Sequence, residues 1–133
     1  MLPYVDVFIP DDKTVLKTLG CSPEDACRYY AAHGAKIACV TAAERGTYAY
    51  DGRTMYHVSA PAVKVLDTTG AGDNFHGAIL YCLGRGMSLP DAVKFSNVFA
   101  SLTCESLGGH TVVPDAGRIE EVLNGGSITV DIL

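Results

Sequence analysis

The sequence has no tryptophan, no run of Lys or Arg, no Cys-x-x-Cys pair and no long uncharged apolar stretch. The missing tryptophan excludes little. The missing basic run argues against a nucleic-acid partner, because such proteins carry a basic stripe. The balance is acidic instead, with a net charge of −5 and a pI near 5.2. No apolar segment reaches the length of a membrane span. Met1 runs into Leu2-Pro3-Tyr4 without the basic region of a secretory leader, so a soluble cytoplasmic protein is expected. The five cysteines are odd in number, and neither they nor the four histidines fall at zinc-ligand spacing. Cys27, Cys39, Cys82 and Cys104 sit among apolar residues and read as free buried thiols in a reducing compartment.

What remains is the composition of a folded globular protein: 133 residues, 48% hydrophobic and 19% charged. That length suits one domain with its own core. No internal repeat, linker or low-complexity tract divides it, and Asn124-Gly125-Gly126-Ser127 reads as a turn.

Strand and helix signals alternate. Residues 4–9 read as a buried strand, ended by Pro10 and Asp11. A short helix over 12–19 closes at Gly20. Ser22, Pro23 and the acidic pair Glu24-Asp25 mark the start of a helix that runs to His33 and stops at Gly34. Residues 37–41 form an apolar strand. Asp51-Gly52 between the runs 47–50 and 53–58 predicts a two-residue hairpin turn. Residues 63–66 predict a further strand, followed by a helix from Ala71 or Gly72 to Leu83. Ser88-Leu89-Pro90-Asp91 is a capping-box start for a helix ending at Gly108-Gly109. Pro114 and Asp115 open a last helix to Leu123, and 128–132 reads as a terminal strand. The alternation predicts an α/β fold with a largely parallel sheet and one antiparallel hairpin.

Asp67-Thr68-Thr69-Gly70-Ala71-Gly72-Asp73 joins a strand end, a glycine-rich turn and a helix start. Free N–H groups at a helix N-terminus carry partial positive charge, and Gly70 and Gly72 let backbone approach a phosphate. Such a site suits phosphoryl transfer, where charge spreads over the oxygens of the moving group. Asp73 in the first turn serves equally well, on these residues alone, as a helix cap or as a general base. The segment is neither a P-loop nor a G-x-G-x-x-G fingerprint, whose third glycine would have to precede Gly77.

Asp67 to Leu80, read as DTTGAGDNFHGAIL, resembles at every defined position the second signature of the pfkB, or ribokinase-like, carbohydrate kinases. The resemblance implies a ribokinase-like three-layer fold, present in part, and ATP-dependent phosphorylation of a hydroxyl on a sugar or related small molecule. It implies that Asp73 is the catalytic base, and that the amides of Gly70, Ala71 and Gly72 form the anion hole. Thr41-Ala42-Ala43-Glu44-Arg45-Gly46 resembles the family's T-x-G-x-x-G nucleotide loop, with Ala43 in place of the usual glycine. Asn97 stands where relatives place a residue against adenine.

Many relatives also bind a monovalent cation such as K+. Asp67 and Thr69 match its ligands, and carbonyls near Thr103, Ser106 and Gly108 would complete it, with Val112 where relatives bring a hydroxyl. The family's N-x-x-E, which helps organise Mg2+, is replaced here by Asp11-Asp12-Lys13-Thr14. The two carboxylates substitute in part or form a solvated turn. Mg2+ is expected to accompany ATP in either case.

The resemblance covers residues from about Tyr4 to about Leu123 and matches the C-terminal half of longer relatives. Their N-terminal half holds most sugar-binding groups and the lid through which dimerisation is common. The expectation is therefore one domain, 1–133, forming the nucleotide-binding and catalytic half, with apolar edges open to self-association and weak activity by itself. The alternative is a non-catalytic nucleotide-binding or regulatory fragment that keeps the fold.

Overall fold

A computed structural model describes residues 2–108 and 112–133. Five strands form one mixed sheet in the order of the chain: β1 (Val7–Phe8), β2 (Ile37–Thr41), β3 (Thr47–Tyr50), β4 (Met55–Val58) and β5 (Val130–Ile132). Between β1 and β2 the chain makes α1 (Asp12–Leu19) and α2 (Pro23–Ala32). Between β4 and β5 it makes α3 (Ala71–Gly84), α4 (Leu89–Thr103) and α5 (Ala116–Asn124).

The helix starts follow the expected chemistry. Asp11 caps α1 by accepting from the Thr14 N–H, Ser22 caps α2, Ser88 caps α4 and Asp115 caps α5. Gly20 closes α1 in the left-handed region that glycine enters without a Cβ penalty. The expected helix end at Gly108-Gly109 falls partly outside the described residues; α4 itself stops at Thr103.

Alternation along β2 sorts the core into two layers. Ala38 and Val40 face Val15, Ala26, Cys27 and Tyr30 of α1 and α2. Cys39, with Ala49 and Val58, faces Phe75, Ile79, Val93 and Val98 of α3 and α4. Helices thus cover both faces of the sheet, and the α/β expectation holds. Four cysteines are buried and all five are free thiols; burial pushes Cys27 up to about 12 and Cys39 higher still.

Three expectations change. Only β1 and β2 pair in parallel; β2–β3, β3–β4 and β4–β5 are antiparallel. The connections after β2 and β3 are too short to cross over a sheet face, whereas the long α3–α5 connection returns the chain antiparallel beside β4. The hairpin at Asp51 is a four-residue loop, not a two-residue turn. Asp51 Oδ1 accepts from the N–H groups of Arg53 and Thr54, at 2.9 and 2.8 Å, and of the expected pair of positive φ angles only that of Gly52, +89°, is present. Residues 63–66 form no strand. The N–H groups of Leu66 and Asp67 instead donate to the Cys104 carbonyl at the end of α4, at 2.8 and 3.2 Å.

One buried polar cluster joins the layers. Asn97 of α4 accepts from Thr47 Oγ1 at 2.7 Å and donates to the carbonyls of Val58 and Ser59 at 3.0 and 3.3 Å. Thr47 is 1% exposed, so Thr47→Val leaves the Asn97 oxygen short of a partner where water does not reach. Urea denaturation should show a loss of about 1–3 kcal/mol. An unchanged midpoint would mean that the hydroxyl carries no weight.

Candidate functional site

The start of α3 is built by hydrogen bonds that leave its first turn open. Asp67 Oδ1 accepts from the Thr69 N–H and Oδ2 from the Gly108 N–H, each at 2.9 Å. The Thr69 hydroxyl, then the Thr69 and Gly108 amides, hold the Asp67 carboxyl below the usual carboxylate range. The chain then turns through Gly70, whose φ of +75° suits glycine and which caps α3 without any side-chain hydrogen bond. The Ala71 N–H turns back to the Thr68 carbonyl at 3.1 Å. By helix geometry the next two N–H groups, of Gly72 and Asp73, have no acceptor within the helix.

A Cβ placed on Gly72 would meet nothing within 4 Å. Packing therefore does not require glycine here, while close approach of a ligand to the backbone would. Asp73 is the third residue of α3 and is exposed, with Gly70 as the N-cap. The reading of Asp73 as the helix N-cap is thus overturned: the left-handed turn at Gly70 starts the helix three residues before Asp73 could.

A cavity of about 590 Å³ lies beside this turn. Ala71 and Gly72 line it, together with Thr41, Ala43, Gly46 and Asn97, so four expected nucleotide residues meet two of the expected anion-hole residues. Its floor on α4 adds Ala100, Ser101 and Cys104. Their place in the site went unnoticed in the sequence, where their only signal is a spacing of one or two helical turns after Asn97. Asn97 itself is 5% exposed and spends its carboxamide on Thr47, Val58 and Ser59, so it presents a wall.

Asp73 does not line this cavity. It borders a second hollow of about 340 Å³ with Tyr81, Phe95 and Phe99, on the other side of the α3 turn. Asp67, Thr69, Thr103 and Gly108 line neither of these two hollows. Asp67, Thr69 and Gly108 are drawn together by the Asp67 carboxylate, whereas the Thr103 hydroxyl turns inward to the Ala100 carbonyl at 2.7 Å.

The loop 42–46 forms the facing wall. Ala43 has φ +49°, the one positive value at a non-glycine among the described residues. Its backbone has the conformation a glycine would take, with an added Cβ. Gly46 has φ +88°, and a Cβ there would overlap the Val58 carbonyl. Arg45, also unnoticed in the sequence, pairs with Asp12 and ties this loop to the start of α1. Asp11, Asp12 and Lys13 complete the rim. Asp11 is engaged by Thr14, whose hydroxyl and amide hold its carboxyl below the usual range. Among the described residues no three His, Cys, Asp or Glu side chains converge on a metal position. No helix of the described residues is long and apolar enough to cross a membrane.

Comparison with known proteins places this arrangement. Residues 1–116 match the model of the pfkB family of carbohydrate kinases. The chain is 29% identical over 129 residues to the ribokinase of Staphylococcus aureus, covering 92% of this chain and 42% of that one. It is 30% identical over 105 residues to the 5-dehydro-2-deoxygluconokinase of Bacillus licheniformis, covering 78% of this chain and 32% of that one. A crystal structure of an E. coli protein, provisionally termed ribokinase II, in complex with ATP and Mg2+ superposes with a TM-score of 0.82. The identity there is 27%, over 92% of this chain and 40% of that one. The chain thus spans less than half the length of these relatives.

Two measurements test the local geometry. Ala43→Gly should raise stability by up to about 1 kcal/mol, since relief of the left-handed alanine exceeds glycine's entropic cost. A lower urea midpoint would contradict that. Because the Asp67 carboxyl is held low by its partners, its tether is intact above the ordinary aspartate value and is lost as pH falls through the lowered one. Amide exchange at Thr69 should therefore accelerate on acidification below about pH 4. Exchange that follows only the general pH trend would remove the tether.

Proposed function

From its membership of the pfkB family of carbohydrate kinases, established by the match over residues 1–116, we propose that this chain holds the nucleotide and phosphoryl-transfer site of an ATP-dependent sugar kinase. The observation that carries the proposal is the uncapped first turn of α3, which opens onto the cavity where a Cβ on Gly72 would meet only space.

ATP would occupy the 590 Å³ cavity between the loop 41–46 and α4, its phosphates towards Gly72. The N–H groups of Gly70, Gly72 and Asp73 would then face the charge that develops on the transferred group. Ala71 contributes position more than a donor, since its N–H is taken by Thr68. Asp73 borders the second hollow, so the acceptor would approach the turn from that side. There Asp73 takes the proton of the acceptor hydroxyl as its oxygen attacks the γ-phosphorus, and ADP leaves with the bridging oxygen. Mg2+ would neutralise phosphate charge, and the committed carboxylates of Asp11 and Asp12 suit a Mg2+ held mainly by phosphates and waters. A monovalent cation such as K+ would draw on Asp67, Thr69 and the carbonyls near Thr103 and Gly108.

We further propose that residues 1–133 act as the C-terminal part of the kinase fold. β1 has the continuous apolar run of an interior parallel strand, Val7-Phe8-Ile9, yet forms a sheet edge. Leu80 and Tyr81 on the outer face of α3 are 55% and 60% exposed. Both surfaces suit cover by the length that the relatives have in addition, or by a second copy in a homodimer.

A second reading, a nucleotide-binding module without turnover, is favoured by one observation: Asp11 and Asp12 replace the family's N-x-x-E and are both engaged within the protein. Calorimetry of the chain with ATP and Mg2+, followed by ADP release with ribose, fructose and 5-dehydro-2-deoxygluconate, separates the two. The kinase reading predicts binding that Gly72→Ala weakens at least tenfold, although the same change favours the helix by about 0.5–1 kcal/mol. It predicts turnover that Asp73→Asn lowers roughly 10²–10⁴-fold at nearly unchanged ATP affinity. Binding without turnover supports the module. Absence of binding overturns the cradle at α3.

A further inference from the structure

His76 lies one turn into α3, and its ring faces two backbone carbonyls. Nδ1 is 2.6 Å from the Gly72 oxygen and Nε2 is 3.1 Å from the Ile9 oxygen. The first contact is local, four residues back along the helix. The second crosses to another element. Carbonyl oxygens only accept and a neutral imidazole carries a single N–H, so the link to Ile9 is made by the tautomer with the proton on Nε2.

The Ile9 carbonyl is a special acceptor. β1 pairs with β2 at Val7 and Phe8 and meets it again only at the Asp11–Thr41 bridge. The Thr41 N–H still bonds the Pro10 carbonyl at 3.1 Å, so the lapse in pairing falls at Ile9, just before Pro10. The peptide between them has no N–H, because its nitrogen belongs to proline. Its oxygen would turn to solvent if His76 did not take it. Two residues later come Asp11, Asp12 and Lys13, which form the cavity rim opposite Ala71 and Gly72.

We infer that His76 is a positioning residue: through Nε2 it clamps the first turn of α3 to the end of β1 and sets the width of the cavity between Gly72 and the 11–13 rim. The clamp itself is independent of what the cavity binds; its effect on nucleotide rests on the kinase reading above. His76 is exposed and borders neither of the two hollows, so it acts through Gly72 and Ile9.

Three substitutions dissect the clamp. Gln places its amide nitrogen near the position of Nε2 and keeps the link to Ile9. Asn places its nitrogen near Nδ1 and keeps only the local bond. Phe keeps a ring and loses both nitrogens. Hydrogen exchange is read at Thr41, whose N–H bonds the Pro10 carbonyl, and at Asn74, whose N–H bonds the Gly70 carbonyl. His76→Phe and His76→Asn should speed exchange at both amides roughly fivefold, the loss expected for one hydrogen bond, while His76→Gln stays near the parent. A role in packing alone predicts that Phe matches the parent and Asn and Gln do not, and that order overturns the clamp. So does equal behaviour of all three variants. ATP affinity with Mg2+ should fall in the same order as exchange rises. If the parent binds no ATP, the exchange pattern still decides the clamp, and only the kinase reading fails.

Discussion

The hydrogen bonds around Asn97 hold the site together. They join the middle of α4 to the start of β3 through Thr47 and to the end of β4 through the carbonyls of Val58 and Ser59. A buried carboxamide tolerates little displacement, since each lost partner costs free energy away from water. Helix α4 is thereby fixed over the sheet at one place, and α3 packs on α4 through Phe75, Ile79 and Val98. The cavity is what these two constraints leave open between the helix layer and the loop that follows β2.

That loop and the start of α3 contribute backbone in place of reactive side chains. Gly46 sits where a Cβ would strike Val58, and Ala43 holds a glycine-like angle beside it. Gly70 starts α3 in a left-handed conformation, and the Gly72 and Asp73 amides that follow have no acceptor within the helix. Phosphoryl transfer asks for that kind of surface, because positioning and charge stabilisation dominate its chemistry. The carboxylate at Asp73 stands just beyond it, on the side of the second hollow. Cavity and carboxylate thus meet the same turn from two directions.

Much of this was legible in the residues. Caps such as Ser22, Ser88 and Asp115 announce helices because their chemistry is local. The glycine turn at 70–72 and the match to the family signature pointed to the candidate site. Strand direction was not legible, because alternation of element types says nothing about how short loops return the chain. Residues 63–66 read as a strand from their apolar run, but the Cys104 carbonyl took the N–H groups of Leu66 and Asp67. Thr47, Arg45 and His76 went unnoticed for a common reason. Each acts on a partner far away in sequence: Asn97, Asp12 and Ile9. On residues 70–73 alone the Asp73 alternatives stood equal; the family signature favoured the base, and the structure gives the cap to Gly70.

The central claim is that nucleotide phosphates meet the backbone at the start of α3. Amide shift mapping of the ¹⁵N-labelled chain during titration with ADP and Mg2+ addresses it directly. The account predicts the largest changes at Gly70, Gly72 and Asp73, with smaller ones at Thr41 to Gly46 and at Ala100 to Cys104. Changes centred elsewhere in the fold, with the 70–73 amides unmoved, would contradict it.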